Sequence, residues 1–327
     1  MKMDLLEGCG AGRPFTWQAS RVGVRAKRLL ALPAIQGKVL AVVSNAAYIA
    51  TNQEEILWLA GVGLPLHMRG IQTFFEPGML RPGEGFFVEW PDLQIGDGVS
   101  IKLDQATEWE PSAIKPGQAA PLPVVKACVQ RFLTSLTTRG RYGGLGQSLP
   151  FIAALIEGRE SARFQPGLLI ARALPPIVSM AKSCLAQDMA RVTQIGRELV
   201  GLGPGLTPAG DDFLGGLFFA AHSLKSAYPG DFHWDEKAIS ALIDRAQSQT
   251  HLISHAFLSD LSAGDGPEPL HELIAALLKA EEMGSLGAAA GRLLALGSTS
   301  GWDMLAGALT GMLMVVGREC RQACNPS

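Results

Sequence analysis

The sequence predicts an α+β protein, with an N-terminal β-rich sheet or barrel domain followed by a larger all-α domain of orthogonally packed helices. Two observations lead to this prediction. Between residues 37 and 109, short β-branched and aromatic runs alternate with turn signals such as Pro-Gly and Gly-Asp-Gly. From residue 124 onward, nearly every segment has the length and apolar periodicity of a helix.

Four runs in the first part are typical of strands: residues 38–43, 46–51, 86–90 and 99–103. Segment 53–60 suits either a short helix or a strand. Residues 110–123 are rich in proline and lack apolar periodicity, as expected of a linker. We therefore divide the chain near residue 117, into a β-rich domain 1–117 and an all-α domain 118–327.

The second part contains a series of predicted helices separated by glycine and proline breaks. Pro175 and Pro176 are expected to kink or split the third of them. No repeat of 30 to 45 residues indicates a solenoid. The predicted helices span residues 124–138, 149–157, 167–187, 190–200, 208–225, 236–262, 270–283, 286–296 and 300–316.

Composition excludes several classes of partner. A formal net charge of −2 and 7% aromatic residues provide no basic or stacking surface for nucleic acid. The longest apolar run, residues 304–316, is shorter than the ~20 residues that cross a bilayer, so no membrane association is expected. The five cysteines include no Cys-x-x-Cys pair, which favours a reducing, cytoplasmic location.

The central motif is Gly-Leu-Gly-Pro-Gly-Leu-Thr-Pro-Ala-Gly-Asp-Asp, residues 201–212, between two predicted helices. Thr207 is expected to cap a helix that begins near Pro208. Gly203 and Gly205 allow a tight turn and close backbone approach, and the helix start favours an anion. The motif predicts a cradle for phosphate or another anion, formed with Thr207.

Two adjacent carboxylates, Asp211 and Asp212, follow in the first turn of this helix and share a face with Gly215 and Gly216. This face favours the approach of a polar ligand, with Asp211 and Asp212 as candidate catalytic residues. The alternative is that the carboxylates complement the helix dipole and the glycines admit a neighbouring helix. The sequence assigns no metal, but Asp211 and Asp212 would hold a divalent cation such as Mg²⁺ if one is used.

A second helix start, Gly-Ser-Thr-Ser-Gly-Trp-Asp at residues 297–303, resembles the central motif in miniature. Ser300 and Asp303 share a helix face with Gly307, and we expect them to bind the same anionic substrate. A capping motif with a Gly-x-x-x-Gly packing seam is the alternative.

Two further patterns lie outside these helix starts. Arg141, in the glycine-rich segment 140–148, could bind a carboxylate or phosphate, although a plain interhelix connection explains the segment equally well. His251 and His255 have the i, i+4 spacing of a metal pair but no evident third ligand.

Segment 201–216, together with segments 300–307 and 106–111, resembles the bacterial family that contains the AllH subunit of oxamate carbamoyltransferase. The resemblance implies a role in allantoin degradation, a branch of purine catabolism. In the implied reaction, oxalurate and phosphate give oxamate and carbamoyl phosphate, with companion protein subunits. The expected small-molecule partners are therefore oxalurate, oxamate, carbamoyl phosphate or phosphate. The alternatives are a non-catalytic scaffold subunit and an enzyme acting on another small anionic metabolite.

Overall fold

A computed structural model describes residues 14–112, 114–138, 140–159, 167–232 and 235–317 of the 327-residue chain. The chain forms two compact units, Met1–Glu110 and Pro111–Ser327. The boundary predicted near residue 117 lies close to the start of the second unit. The predicted fold class is confirmed, since strands dominate the described part of the first unit and helices that of the second.

Nine strands, one α-helix and a short 3-10 helix at Pro77–Met79 make up the described part of the first unit. The helix, α1, is Val24–Leu30. The strands are β1 Phe15–Gly23, β2 Gln36–Val43, β3 Ala46–Thr51, β4 Ile56–Gly61, β5 Gly70–Thr73, β6 Gly85–Glu89, β7 Asp92–Ile95, β8 Val99–Lys102 and β9 Thr107–Trp109.

The strands form a closed barrel. Their order is β5-β4-β3-β2-β6-β7-β8-β1-β9, and β5 also pairs with β1, so eight strands close on themselves while β9 extends β1. Alternate residues point inward, as in Val99 and Ile101 of β8 and Leu57 and Leu59 of β4, and build one apolar core. Segment 53–60, for which a helix and a strand were both open, contributes to β4. In a strand, its alternate side chains Leu57 and Leu59 can pack into the barrel core.

The second unit is helical throughout its described part. Its α-helices are α2 Leu122–Thr137, α3 Leu149–Glu157, α4 Leu168–Leu185, α5 Met189–Gly196, α6 Ala209–Ala227, α7 Glu236–Ala246, α8 Leu252–Ser262, α9 Glu268–Leu278, α10 Met283–Leu294 and α11 Ser300–Val316, with a short 3-10 helix at Gly144–Ser148.

Two helix predictions need comment. Helix α4 continues through Pro175 and Pro176 as one helix, so the predicted segment is not split there. The predicted helix 236–262 is two helices, α7 and α8. It breaks because His251 adopts an extended conformation and its Nδ1 accepts a hydrogen bond from the Ile253 amide, 3.3 Å away, which caps α8.

Among the described helices, α4 has the length and hydropathy of a membrane-spanning helix. A core helix of a soluble protein passes the same test, and α4 buries Ile177, Met180 and Cys184 within the helical unit. Cys128 and Cys184 are free and buried. Burial raises the pKa of the Cys184 thiol to about 12. The other cysteines lie outside the described residues.

The centre of the helical unit is the pair α6 and α11. Most of α6 is buried, and so are all residues of α11 except Ser300 and Trp302. A Cβ on Gly216 would lie 2.1 Å from the Met304 carbonyl oxygen, and a Cβ on Gly307 would lie 1.8 Å from the Phe213 carbonyl oxygen. The two helices therefore touch backbone to backbone, which only glycine permits at these positions.

Candidate functional site

The glycine-rich loop before α6 folds back over the start of that helix. Gly203 has φ +121°, and a Cβ there would lie 2.8 Å from the Ala209 amide nitrogen. The helix begins at Ala209 with Pro208 as the N-cap residue, one position later than predicted, and no side chain caps it. The expectation that Thr207 caps the helix was therefore wrong, and its hydroxyl is left for another partner.

That partner is the second helix start. The Thr207 hydroxyl lies 3.2 Å from the Ser300 hydroxyl, with either oxygen able to donate. The two helix starts that the sequence singled out are thus joined by a direct side-chain contact.

Asp211 has both carboxylate oxygens engaged by protein donors. Its Oδ1 accepts from the Gly201 amide at 2.8 Å, and its Oδ2 accepts from the Ser254 hydroxyl at 2.7 Å and from the Thr250 hydroxyl. The side chain is buried, and these bonds tie the loop and α8 to α6. These bonds occupy both oxygens of Asp211, and its predicted role beside Asp212 in catalysis or cation binding stays a prediction.

Asp212 has the opposite character. It is 6% exposed, and its Oδ2 has no hydrogen-bond partner in the described structure. Burial raises the pKa of Asp212 well above its usual range, and the negative charges of Asp303 and Asp211 add to this. The hydroxyls of Ser300 and Thr207 lower the pKa because they stabilise the carboxylate form. Asp212 therefore keeps unused hydrogen-bonding capacity where the helix starts meet.

Asp303 repeats this arrangement on α11. It is 0% exposed, its Oδ1 accepts from the Leu145 amide at 2.6 Å, and its Oδ2 has no partner among the described residues. Burial raises the pKa of Asp303 to about 6, while the hydrogen bonds from Leu145 and Thr299 act to lower it. Gly144, at φ +44°, allows this approach, because a Cβ there would lie 2.2 Å from the Asp303 Oδ1.

The two helix starts are a reciprocal structural repeat. Gly210 and Gly301 are each the second residue of their helix, and their amides donate to the Leu202 and Leu296 carbonyls at 2.8 and 3.1 Å. A Cβ on either glycine would approach the carbonyl of Leu199 or Leu293, respectively, to 1.9 or 2.0 Å. The first copy differs by three additional residues, Pro204-Gly205-Leu206, between Gly203 and Thr207. Only the first copy therefore has the longer glycine-rich loop for which an anion cradle is predicted.

The space beside the glycines of α6 is occupied by neighbouring helices. A Cβ on Gly215 would meet the Leu261 side chain of α8 at 2.4 Å, and Gly216 faces α11 as described above. The interpretation of this face as open to a polar ligand was wrong for the part of α6 that follows Asp212. The alternative, that the glycines admit a neighbouring helix, is correct, and Gly307 likewise faces α6.

Arg141 is not brought to the carboxyl pair by any contact of the described residues. Its side chain is exposed. The loop around it instead encloses Trp302, because Gly143 and Gly146 lie against the indole and Tyr142 meets it edge-on, with ring centroids 5.9 Å apart. The group of this loop that contacts the candidate site is the backbone amide of Leu145. The sequence could not single it out, because nearly every residue type carries a backbone amide.

His251 and His255 do not form a metal pair. The His251 Nδ1 is taken by the Ile253 amide, and the His255 Nε2 lies 3.2 Å from the Ile243 carbonyl oxygen. Across the described ranges, no group of three or more His, Cys, Asp or Glu side chains is arranged to hold a metal ion. A cation site would therefore have to combine two carboxylates with other oxygens.

The segment that forms both helix starts matches a known protein family. Residues 199–312 match the family described as oxamate carbamoyltransferase subunit AllH. The chain is therefore similar to the AllH family over this segment, which is less than half of its length. The match includes Thr207, Asp211, Asp212, Ser300 and Asp303, and it excludes the barrel and the Gly140–Ser148 loop. It confirms the predicted resemblance, and no solved structure gives a significant match to the chain.

Proposed function

We propose that this chain is a subunit of a carbamoyltransferase of the oxamate type, and that its AllH-like segment, residues 199–312, binds phosphate or carbamoyl phosphate where α6 and α11 begin. The observation that supports this most directly is the contact between Thr207 and Ser300, 3.2 Å apart. It joins the two helix starts inside the segment that matches the family. Both helix dipoles then favour negative charge at one place.

The loop supplies donors for an anion. Within the described part of the chain, the amides of Gly203, Gly205, Leu206 and Thr207 donate to no protein acceptor. Gly205 is exposed, so its amide is accessible to a ligand. Amides without a protein acceptor, together with the Thr207 and Ser300 hydroxyls, suit the oxygens of a phosphate group.

The reaction that the family name suggests makes two demands on such a site. A phosphate oxygen attacks the carbamoyl carbon of oxalurate, the bond from that carbon to the oxamate nitrogen breaks, and the released nitrogen takes up a proton. The oxyanion that develops needs hydrogen-bond donors, and the nitrogen needs a proton source. The loop amides suit the first demand. Asp212 and Asp303 must be neutralised by a proton or a cation before an anion binds beside them.

The test is ligand binding and turnover with a matched hydroxyl variant. We expect calorimetry to detect phosphate or carbamoyl phosphate binding to the full chain, and Thr207→Val to weaken it. Thr193→Val should leave binding unchanged, because the Thr193 hydroxyl donates to the Ala190 carbonyl within α5. Turnover of oxalurate is then measured with and without companion subunits. No binding of either phosphate ligand, and no turnover in the complex, would contradict the proposal and favour a scaffold role.

A further inference from the structure

We propose that Asp212 and Asp303, together with the hydroxyl oxygens of Thr207 and Ser300, form a binding site for one divalent cation of the Mg²⁺ class. The inference deepens the proposed function and rests on it in one respect, since the cation would lie beside the bound phosphate group. It replaces the expectation that Asp211 and Asp212 would hold the metal.

Each of the two carboxyls keeps one oxygen unused. Asp212 and Asp303 are both at least nine-tenths buried, and the Oδ2 atom of each lacks a partner in the described structure. The charged groups that act on Asp212 are the carboxyls of Asp303 and Asp211. In the described ranges no lysine, arginine or histidine pairs with Asp212 or Asp303. Buried carboxylates are normally paired with a cation or coordinate a metal, and here a metal would provide the missing positive charge.

The chemistry and spacing of the donors suit a hard divalent cation. All four side chains offer hard oxygen atoms, which Mg²⁺, Mn²⁺ and Ca²⁺ prefer, and the cluster contains no imidazole or thiol that would select zinc. The Thr207 and Ser300 hydroxyl oxygens are 3.2 Å apart. Neighbouring ligands of an octahedral Mg²⁺ lie about 3 Å apart, so these oxygens suit adjacent positions around one ion. Ser300 and Asp303, separated by three residues on α11, face the same side.

Asp211 is less suited than Asp212 to hold the cation. The oxygens of Asp211 already accept bonds from Gly201, Ser254 and Thr250. Binding a cation through Asp211 would break bonds that hold the loop in place. Asp212 and Asp303 can each offer an oxygen without that loss.

The cation would also remove an electrostatic conflict in the proposed function. Two carboxylates beside a phosphate repel it, whereas Mg²⁺ held by one or two carboxylates commonly completes its shell with water and phosphate oxygens. The loop amides and the cation would then share the phosphate group.

The experiment is a titration of the full chain with Mn²⁺, followed by electron paramagnetic resonance and calorimetry, without phosphate. We expect one Mn²⁺ per chain, and weaker binding by about tenfold or more in Asp212→Asn and in Asp303→Asn. Asp244→Asn is the control, because Asp244 is exposed on α7 and should leave Mn²⁺ affinity unchanged. Urea unfolding of each variant checks the fold, and Ser300→Ala provides a milder variant if either Asn variant unfolds.

The possible results separate the two proposals. Failure of wild type to bind Mn²⁺ at millimolar concentration, or wild-type Mn²⁺ affinity in folded Asp212→Asn and Asp303→Asn, overturns the cation site. A second titration adds phosphate with and without Mn²⁺. Phosphate binding without any Mn²⁺ binding supports the proposed function and rejects the cation. Mn²⁺ binding without phosphate binding or turnover supports the cation site and rejects the function.

Discussion

Asp212 and Asp303 are the fourth residues of α6 and α11, and each keeps its Oδ2 buried without a hydrogen-bond partner in the described structure. The carbonyl oxygen of the residue after each aspartate packs against a glycine of the other helix. Phe213 packs against Gly307, and Met304 packs against Gly216. The reciprocal glycine contacts thus fix the two carboxyls in equivalent positions. The same packing that stabilises the helical unit sets the geometry of the candidate site.

The first prediction contrasts the two adjacent aspartates. Asp211→Asn should lower the free energy of unfolding by about 3 kcal/mol, because a buried carboxylate that accepts three hydrogen bonds is replaced by a group that is partly a donor. Asp212→Asn should leave it unchanged or raise it in cation-free buffer, because a buried carboxyl with an unpaired oxygen loses its charge. Urea unfolding of both variants measures the difference.

Turnover should also distinguish the two residues, but here the larger effect is expected at Asp212. In the reconstituted complex, Asp212→Asn should reduce turnover by about 10²-fold or more while the protein stays folded. Unchanged turnover in Asp211→Asn, Asp212→Asn and the double variant would count against a chemical role for either carboxylate and favour the scaffold reading.

The second prediction concerns the helix contact. Gly216→Ala and Gly307→Ala should each lower the free energy of unfolding by about 1–3 kcal/mol or more, because the added Cβ meets a backbone carbonyl that cannot move aside alone. Gly287→Ala is the control, since a Cβ at that position in α10 has nothing within 4 Å. Helix propensity should make the control neutral or more stable by up to about 1 kcal/mol. Equal effects at all three positions would argue against backbone contact between α6 and α11.

Much of this arrangement could be predicted from local sequence. Segment 46–51 gave β3, segment 149–157 gave α3 and segment 300–316 gave α11 with the predicted bounds. Turn residues and apolar periodicity are local properties, so they mark such elements well. The likeness between the motifs that precede α6 and α11 was also visible, because both end in a small residue, a hydroxyl and an aspartate.

The rest depended on contacts between distant residues. Nothing local distinguishes Asp211 from Asp212, and their roles separate only because Thr250 and Ser254 reach one of them. The Leu145 amide, 158 positions before its acceptor Asp303, carries no side-chain signal at all. The short strands β5, β7 and β9 were not predicted either, since pairing with neighbours defines them more than composition does.

The third prediction is a dependence of stability on pH through His222. Burial lowers the pKa of this imidazole below 6.5, and the charge of Lys225 lowers it further, while Glu236 acts in the opposite direction. The unfolded chain therefore binds the proton more readily than the folded one. The His222 contribution to stability should be constant above the unfolded pKa and should be lost as the pH falls below it.

The measurement is the free energy of unfolding between about pH 7.5 and 5. His222→Gln should lose less stability than wild type over this range. Lys225→Met should show an intermediate loss, because one of the two causes of the lowered pKa has been removed. Parallel pH profiles for wild type and His222→Gln would show that this imidazole does not contribute.

The last prediction tests whether the glycine loop binds the anion through its backbone. Gly203 is a poor test position, since a Cβ there would also approach the Ala209 amide and disturb the helix start. Gly205 is better, because it has φ +100° and a Cβ would have nothing within 4 Å. Gly205→Val should therefore leave the fold intact but shift the loop backbone, and phosphate affinity should fall by at least about tenfold as the amides lose their alignment.

The matched control for Gly205→Val is Gly230→Val. Gly230 follows α6 in a turn at φ +86°, and a Cβ there also has nothing within 4 Å. Both variants therefore incur a similar backbone strain of about 1–2 kcal/mol, but only one lies in the loop. Calorimetry with phosphate should show weakened binding in Gly205→Val and wild-type affinity in Gly230→Val. Equal affinity in both variants would mean that the loop amides do not bind the anion, and would leave the Thr207 and Ser300 hydroxyls as its remaining donors.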